Sequence, residues 1–373
     1  MAGLYIHVPY CHKACHYCNF HFSTSLKDMD KMVDSICTEL LLRKDYLDQR
    51  LIETVYFGGG TPSILSSDNL SKIFHAIHDH YSIASSAEIT LEANPEDITE
   101  TSLLCWKSLG VNRLSIGIQS FQNEYLHWMN RNHSSEASIK CVTLAQKNGF
   151  ENISIDLIYG LPTLTADQWR AEIQTAISLN VPHISSYCLT VEEKTVFGNL
   201  AKKGALQPIP DEISEEHLII LIHELLAAGY EQYEISNFCK PAFESKHNSS
   251  YWQRKPYIGI GPGAHSYNHR ERAANISNNS LYIKQIEKNE WTGSIEILSD
   301  IDQYNEYILT RLRTKWGITL IEIEAFSLPD IEKTIKLLTQ FVNEGFLYIK
   351  DDIYLLTTKG KLLADEITLQ LMH

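Results

Sequence analysis

The sequence lacks any run of apolar residues long enough to cross a bilayer. A spanning helix needs about 18 or more in succession, and the 373 residues contain no such stretch. Basic charge is also scarce. Lys and Arg total 32 against 46 Asp and Glu, a net charge of -14. That balance disfavours nonspecific binding to nucleic acid, which needs a basic surface. No internal repeat and no low-complexity tract is visible. A strand begins by Leu4, leaving no room for a signal peptide, so a cytoplasmic protein is expected. In that reducing compartment the eight cysteines are expected to be mostly thiols, not disulfides. Cys37, Cys105, Cys141, Cys188 and Cys239 are scattered singly and share no ligand spacing, as small core residues would be.

The composition is otherwise that of a globular protein, 44% hydrophobic and 21% charged. The length allows two or three domains. The remaining three cysteines stand together in His7-Val8-Pro9-Tyr10-Cys11-His12-Lys13-Ala14-Cys15-His16-Tyr17-Cys18-Asn19-Phe20, a C-x3-C-x2-C loop directly after the apolar run Leu4–Val8. Three thiolates in one tight loop suit three irons of a cubic [4Fe–4S] cluster. Such clusters are usually held by four cysteines, so the missing fourth leaves one iron open to a ligand. Zinc, with His12 or His16 as fourth ligand, is the competing reading.

The first half alternates short β-rich runs with amphipathic segments. The pattern predicts strands over Leu4–Val8, Thr54–Phe57, Glu88–Glu92, Arg113–Ile116, Ser154–Leu157 and Ile184–Leu189. Helices are predicted over Asp30–Leu47, Ser67–Tyr81, Thr99–Leu109, Ser134–Asn148 and Ala166–Leu179. Six βα units in a row argue for an α/β fold with parallel strands. A doubly wound sheet and a partial (β/α)6 barrel both fit, and either places its site at the C-terminal strand ends. Special residues do gather there. The cysteine loop follows the first strand and Gly58-Gly59-Gly60-Thr61-Pro62 the second. Glu92-Ala93-Asn94-Pro95 closes the third, Gln119 follows the fourth, and Asp156 lies near the end of the fifth.

Residues 1–230 are thus expected to form the barrel core. Residues 231–300 read as an irregular segment, and Phe197–Glu212 as a loop or lid. Residues 301–373 show a mostly helical, winged-helix-like order with a hairpin at Asp351-Asp352. Their Glu322, Glu324, Asp330, Glu332, Asp351 and Asp352 argue against DNA binding and for a packing or partner domain.

Together these motifs resemble the oxygen-independent coproporphyrinogen III oxidase family of radical S-adenosylmethionine (SAM) proteins, and within it the branch of heme chaperones. The resemblance covers most of the chain and implies a radical SAM barrel. It implies that Cys11, Cys15 and Cys18 hold a [4Fe–4S] cluster whose open iron takes SAM. It assigns Tyr5, Tyr17, Gly59, Gly60, Thr61, Glu92, Gln119, Arg131 and Asp156 to SAM. The chemistry suits the assignment: glycine lets backbone approach a ligand closely, and arginine pairs with a carboxylate through two charge-assisted bonds.

The oxidases carry a fourth cysteine two residues past the third, where this chain has Phe20, and a long extension before the cluster, where it has ten residues. Both departures fit the chaperone branch. His247-Asn248-Ser249-Ser250-Tyr251-Trp252 resembles that branch's HNxxYW motif, which implies a heme site at His247, Tyr251 and Trp252. If helical, His247 and Tyr251 share a face at i,i+4. Gly259-Ile260-Gly261-Pro262-Gly263-Ala264-His265 offers a second histidine, which either closes the barrel mouth or approaches the ligand. The implied cofactors are a [4Fe–4S] cluster, SAM and heme. The implied partner is an acceptor hemoprotein, reached by peripheral contact where that acceptor is membrane-bound. Oxidative decarboxylation of coproporphyrinogen III is the alternative activity, and a cluster-based redox sensor with an interacting C-terminal domain a third.

Overall fold

The computed structural model describes residues 2–48 and 51–373. The chain opens with six parallel strands: β1 (Ala2–Val8), β2 (Leu51–Gly59), β3 (Ser82–Ala93), β4 (Arg113–Gln119), β5 (Asn152–Tyr159) and β6 (His183–Cys188). Their crossovers carry α1 (Met29–Leu42), α2 (Ser67–His80), α3 (Glu100–Ser108), α4 (Asn123–Trp128), α5 (Ser135–Lys147) and α6 (Ala166–Ser178). The strands read as near-continuous apolar runs because a parallel sheet is covered on both faces. In β1 only Tyr5 is not fully buried. Four of these six helices begin on a hydroxyl cap, at Ser66, Thr99, Ser134 and Thr165. Each oxygen accepts one of the amide N–H groups left unpaired at a helix start.

In the sheet these strands stand side by side in sequence order. A doubly wound sheet reverses its order at a switch point. An unbroken run instead curls one way, as an open barrel, and puts all six C-terminal ends on one rim.

The segment 231–300 is not irregular, contrary to the sequence-based expectation. After α7 (Val196–Lys202) and α8 (Asp211–Ala227), β7 (Glu231–Glu234) and β8 (Asn237–Cys239) extend the sheet antiparallel beyond β6. Then α9 (Lys246–Trp252) leads to β9 (Tyr257–Ile260), which pairs parallel with the free side of β1. Next come β10 (His265–Tyr267), β11 (Glu271–Ala274), α10 (Asn279–Ile286) and β12 (Ser294–Ile297), giving twelve strands in one sheet. These added strands are three or four residues long, too short to display a two-residue period. The expected lid over 197–212 also contains helix, since α7 starts at Val196.

The last part comprises α11 (Asp300–Arg311), β13 (Ile318–Thr319), α12 (Leu320–Glu324), α13 (Ile331–Asn343), β14 (Leu347–Lys350), β15 (Ile353–Leu356), α14 (Thr358–Leu362) and α15 (Ala364–Leu371). It has its own three-stranded sheet and its own core around Tyr304, Tyr307, Leu338 and Phe341. Asp351 and Asp352, at φ +51° and +62°, make the hairpin turn between β14 and β15. This domain covers the β7 edge of the large sheet. Lys315 N–H donates to the Tyr233 carbonyl at 2.9 Å, and Arg313 Nε to Glu234 Oε1 at 2.8 Å.

Candidate functional site

The cysteine loop leaves β1 and is closed at its base by backbone. Cys11 N–H donates to the Ser23 carbonyl, and Ser23 N–H to the Pro9 carbonyl. Its middle is braced from the β4–α5 connection. His16 N–H and Nδ1 donate to the Met129 and Trp128 carbonyls, and Asn130 Nδ2 donates to Ala14. On the far side α7 supports it, with Phe197 N–H donating to His16 and the Phe197 ring stacked on Trp128 at 4.0 Å.

The glycines after β2 are required by packing as well as by any ligand. Gly59 has φ +106°, and a Cβ there would meet the His7 ring at 2.6 Å. A Cβ on Gly60 would lie 2.5 Å from the Tyr10 carbonyl oxygen. The glycine turn therefore presses directly on the root of the cysteine loop. Thr61 follows, and its hydroxyl donates to Cys11 Sγ at 3.3 Å. Opposite it, Arg131 Nη1 donates to Cys15 Sγ at 3.3 Å, and its Nη2 to Asn94 Oδ1 and the Gly117 carbonyl, both at 2.7 Å. Asn94 Nδ2 reaches Thr61 Oγ1 at 3.3 Å and so ties the two supports together. Arg131 Nε is buried without a partner. Burial opposes the charge of this guanidinium, and the phenol of Tyr17 and thiol of Cys15 beside it outweigh that, raising its pKa. Burial pushes the Cys11 thiol up to about 11, although the Thr61 hydroxyl works the other way.

Two carboxylates line the inside of the barrel. Glu92, on β3, accepts from Tyr56 Oη at 2.7 Å, and Asp156, on β5, from Ser115 Oγ at 3.4 Å. Burial lifts Glu92 to about 7, against the Tyr56 hydrogen bond, with the Asp156 charge adding to the rise. Burial lifts Asp156 to about 6, against the attraction of Arg113. A pocket that raises two carboxylates this far favours a cationic or hydroxyl-rich ligand that restores their charge.

Cys11, Cys15, Cys18 and Tyr17 line one cavity of about 500 Å³. Gly59, Gly60, Thr61, Glu92, Gln119 and Asp156 line the same cavity from the C-terminal parts of β2 to β5, and Arg131 from the connection between α4 and α5. Its volume is that of a small-molecule site. Gln119 projects from a strand bulge and holds φ +72°, a strained backbone for a residue other than glycine. Among the described residues no three His, Cys, Asp or Glu side chains converge on one point as around a single ion. Thiols that each hold a different iron of a cubane need no such point.

Four expected site residues lie outside the cavity lining. Tyr5 is below it, and its hydroxyl meets His7 Nδ1 at 3.1 Å. His247, Tyr251 and Trp252 sit on α9, where the barrel interior meets β1 and β2. His247 is 1% exposed. Its Nδ1 bonds Thr54 Oγ1 at 2.7 Å and its Nε2 bonds Tyr251 Oη at 2.8 Å. The imidazole stacks on Tyr56 at 5.0 Å, the same tyrosine that donates to Glu92. Burial pushes it down to about 3, so the ring is neutral. Trp252 packs under Arg313 at 5.1 Å, against the C-terminal domain. The motif thus forms a floor beneath Glu92. His265 lies on β10, and the preceding Gly261 packs against the backbone of His7, which closes the sheet on β1.

Sequence reasoning missed Tyr56, Ser115, Tyr187 and Lys13. Tyr56 alternates out of a run otherwise read as core, and Lys13 reads as loop charge; only the curl of the sheet reveals both. Asn94 was visible as a strand-end residue, without a role.

The radical SAM superfamily profile matches residues 5–176 and the HemN C-terminal domain profile residues 298–363. The chain is 35% identical to the heme chaperone HemW of Bacillus subtilis, over 98% of each chain. It is 33% identical to that of Lactococcus lactis, over 97% of this chain and 95% of that one. To that of Escherichia coli it is 31% identical, over 98% and 96%. Its fold matches the coproporphyrinogen III oxidase HemN of Escherichia coli, a radical SAM enzyme, with a TM-score of 0.85. That match spans 100% of this chain and 90% of the other, at 22% identity. Radical SAM membership implies a [4Fe–4S] cluster and SAM, and the residues gathered at the strand ends suit both. The chain belongs to the HemW family of the radical SAM superfamily.

Proposed function

We propose that the protein is a heme chaperone that binds a [4Fe–4S] cluster, SAM and heme and passes heme to an acceptor hemoprotein. The observation that carries this reading is likeness along nearly the whole chain, both domains included, to proteins named as heme chaperones. Phe20, where the oxidases have a fourth cysteine, supports it.

The residues fit the group. Cys11, Cys15 and Cys18 would hold the cluster, with Thr61 and Arg131 donating to two of the sulfurs and stabilising thiolate over thiol. When bound, a cluster with one open iron supplies a Lewis-acidic, one-electron centre that takes the methionyl end of SAM. Arg131 Nε, buried and unpaired, suits the SAM carboxylate. Glu92 and Asp156 suit its ammonium and ribose hydroxyls, and SAM's positive charge favours their ionised forms. Gly59 and Gly60 present bare backbone, and Tyr17 and Gln119 complete the wall.

No helix among the described residues is long and apolar enough to cross a membrane. A cytoplasmic protein that meets membrane-bound acceptors peripherally is in keeping with that.

Anaerobic reconstitution with iron and sulfide, then titration with hemin, tests the reading. A Soret band that saturates at a fixed ratio of hemin to cluster-loaded protein is expected. Protein with an intact cluster and no hemin uptake rules the reading out. Oxygen-independent oxidation of coproporphyrinogen III is the second reading, on the HemN-like fold. Turnover of that substrate with SAM and a reductant would establish it.

A further inference from the structure

Away from the cluster, a second cavity of about 240 Å³ lies in the seam where β7 meets the C-terminal domain. Four cations line it, Arg313, Lys315, Lys350 and Lys361, against one acid, Glu234. That balance reverses the net charge of -14 carried by the whole chain. Two of the cations are already neutralised. Arg313 is bonded to Glu234, and Lys315 pairs with Glu244 and, at 3.6 Å, with Glu231.

The other two have no ion-pair partner among the described residues. Lys361, on α14, is partly buried, and its Nζ donates to an uncharged acceptor, Gln232 Oε1, at 2.7 Å. The Gln232 amide is fixed in turn, its Nε2 donating to the Ile235 carbonyl at 2.9 Å. Burial lowers the Lys361 pKa, and no carboxylate works against it. An ammonium taken out of water without a counter-charge is unfavourable, and this one has two further N–H donors to offer. Lys350 stands two residues after Tyr348 on β14, so the two share a face of the strand and both line the cavity. Asp351 and Asp352, next in the chain, do not line it. Leu355, opposite Tyr348 on β15, adds an apolar edge beside the tyrosine ring.

Two uncompensated positive charges match one dianion. Lysines act as point charges that surround a tetrahedral phosphate, whereas a flat carboxylate is best held by an arginine fork. The one arginine here is already committed to Glu234. The cavity is smaller than the usual small-molecule pocket of about 300–1,000 Å³, which selects a compact ligand over a nucleotide.

We propose that this seam binds a compact phosphate ligand, with Lys361 and Lys350 as its charge partners. Lys361 belongs to the C-terminal domain and its amide partner Gln232 to β7, so the ligand sits where the two cores join and stabilises their docked arrangement by mass action.

The test uses full-length, cluster-loaded protein freed of excess iron. Calorimetric titration and melting temperature are followed with inorganic phosphate and, separately, with glycerol 3-phosphate, at an ionic strength held constant with chloride. One phosphate per chain and a melting temperature that climbs with its concentration are expected. The tighter of the two probes shows whether the group arrives free or as a monoester, and binding of either supports the site. Lys361→Met, which keeps an apolar stem, and Lys350→Met, on the exposed strand, should each weaken binding by about tenfold, the loss of one charge-assisted hydrogen bond. Chloride alone raising the melting temperature as far as phosphate does overturns the inference. So does undiminished phosphate binding in both variants, or no binding of either probe to the wild-type protein.

Discussion

Tyr56 is the hinge of the site at the residue scale. Its hydroxyl donates to Glu92, and its ring lies on His247. A hydrogen bond of this kind contributes about 1 kcal/mol. Tyr56→Phe should therefore weaken SAM binding roughly fivefold, measured by equilibrium dialysis on cluster-loaded protein, with little change in hemin affinity. Glu92 gives a pH signature. In the fold it keeps its proton up to about pH 7, because burial disfavours the charge. Unfolded glutamate releases it near 4.3. The folded state thus binds more protons in that window, and this contribution to stability is complete below about pH 4.3 and lost as pH rises through 7. SAM-free protein should melt at a higher temperature at pH 5.5 than at pH 8. Glu92→Gln should flatten that slope by an amount on the order of 1–3 kcal/mol. An unchanged slope would show that Glu92 is ionised in the fold. Asp156, lifted to about 6, adds a smaller change of the same sign.

At the scale of elements, the β2 turn and the cysteine loop act as one piece. Any side chain on Gly60 collides with the Tyr10 backbone, one residue before Cys11. Gly60→Ala should therefore lower iron and acid-labile sulfide per chain after reconstitution, although no thiol is altered. Full cluster content in that variant would show that the loop can shift. The six parallel strands were legible because buried strands print themselves as apolar runs ending in Gly, Glu, Asn or Asp, but their order was not, since a doubly wound sheet fits the same alternation. The motif on α9 was legible in part. The four-residue spacing of His247 and Tyr251 put them on one helical face, and they do bond each other. Which way that face turns was not legible, because the orientation depends on Thr54, 193 residues earlier in the chain, and on its neighbour Tyr56. The strands of residues 231–300 were missed for a different reason: each takes its shape from a neighbour already in the sheet.

At the scale of the whole molecule, two cores meet along β7. Glu234, whose side chain is 1% exposed, is held there by Arg313. Arg313→Ala leaves that carboxylate buried without its cation, which typically costs about 3–5 kcal/mol. The variant should lose the C-terminal domain to limited proteolysis before the barrel is cut. Survival of the intact chain would show that the two cores are held by other contacts. A buried cluster of polar groups does similar work at the other side. Glu39, on α1, accepts from Gly261 N–H, Asn275 Nδ2 and Tyr282 Oη, which fastens β9–β11 to the first crossover. None of this was readable from local pattern, since these three partners lie more than two hundred residues from Glu39 and Arg313 lies 79 residues from Glu234.

The pairing of β1 with β9 carries a consequence for biosynthesis. Gly3 meets Tyr257, so the neighbour that seals the first strand is translated 254 residues after it. At about 5–20 residues per second that interval is roughly 13–50 s. Throughout it, the nascent chain offers an unsealed strand and three oxidisable thiols, with the stacking partner of Tyr56 still inside the ribosome. Iron and sulfide delivered during translation would meet half a vessel, so maturation of the metal centre is expected to follow release of the finished polypeptide.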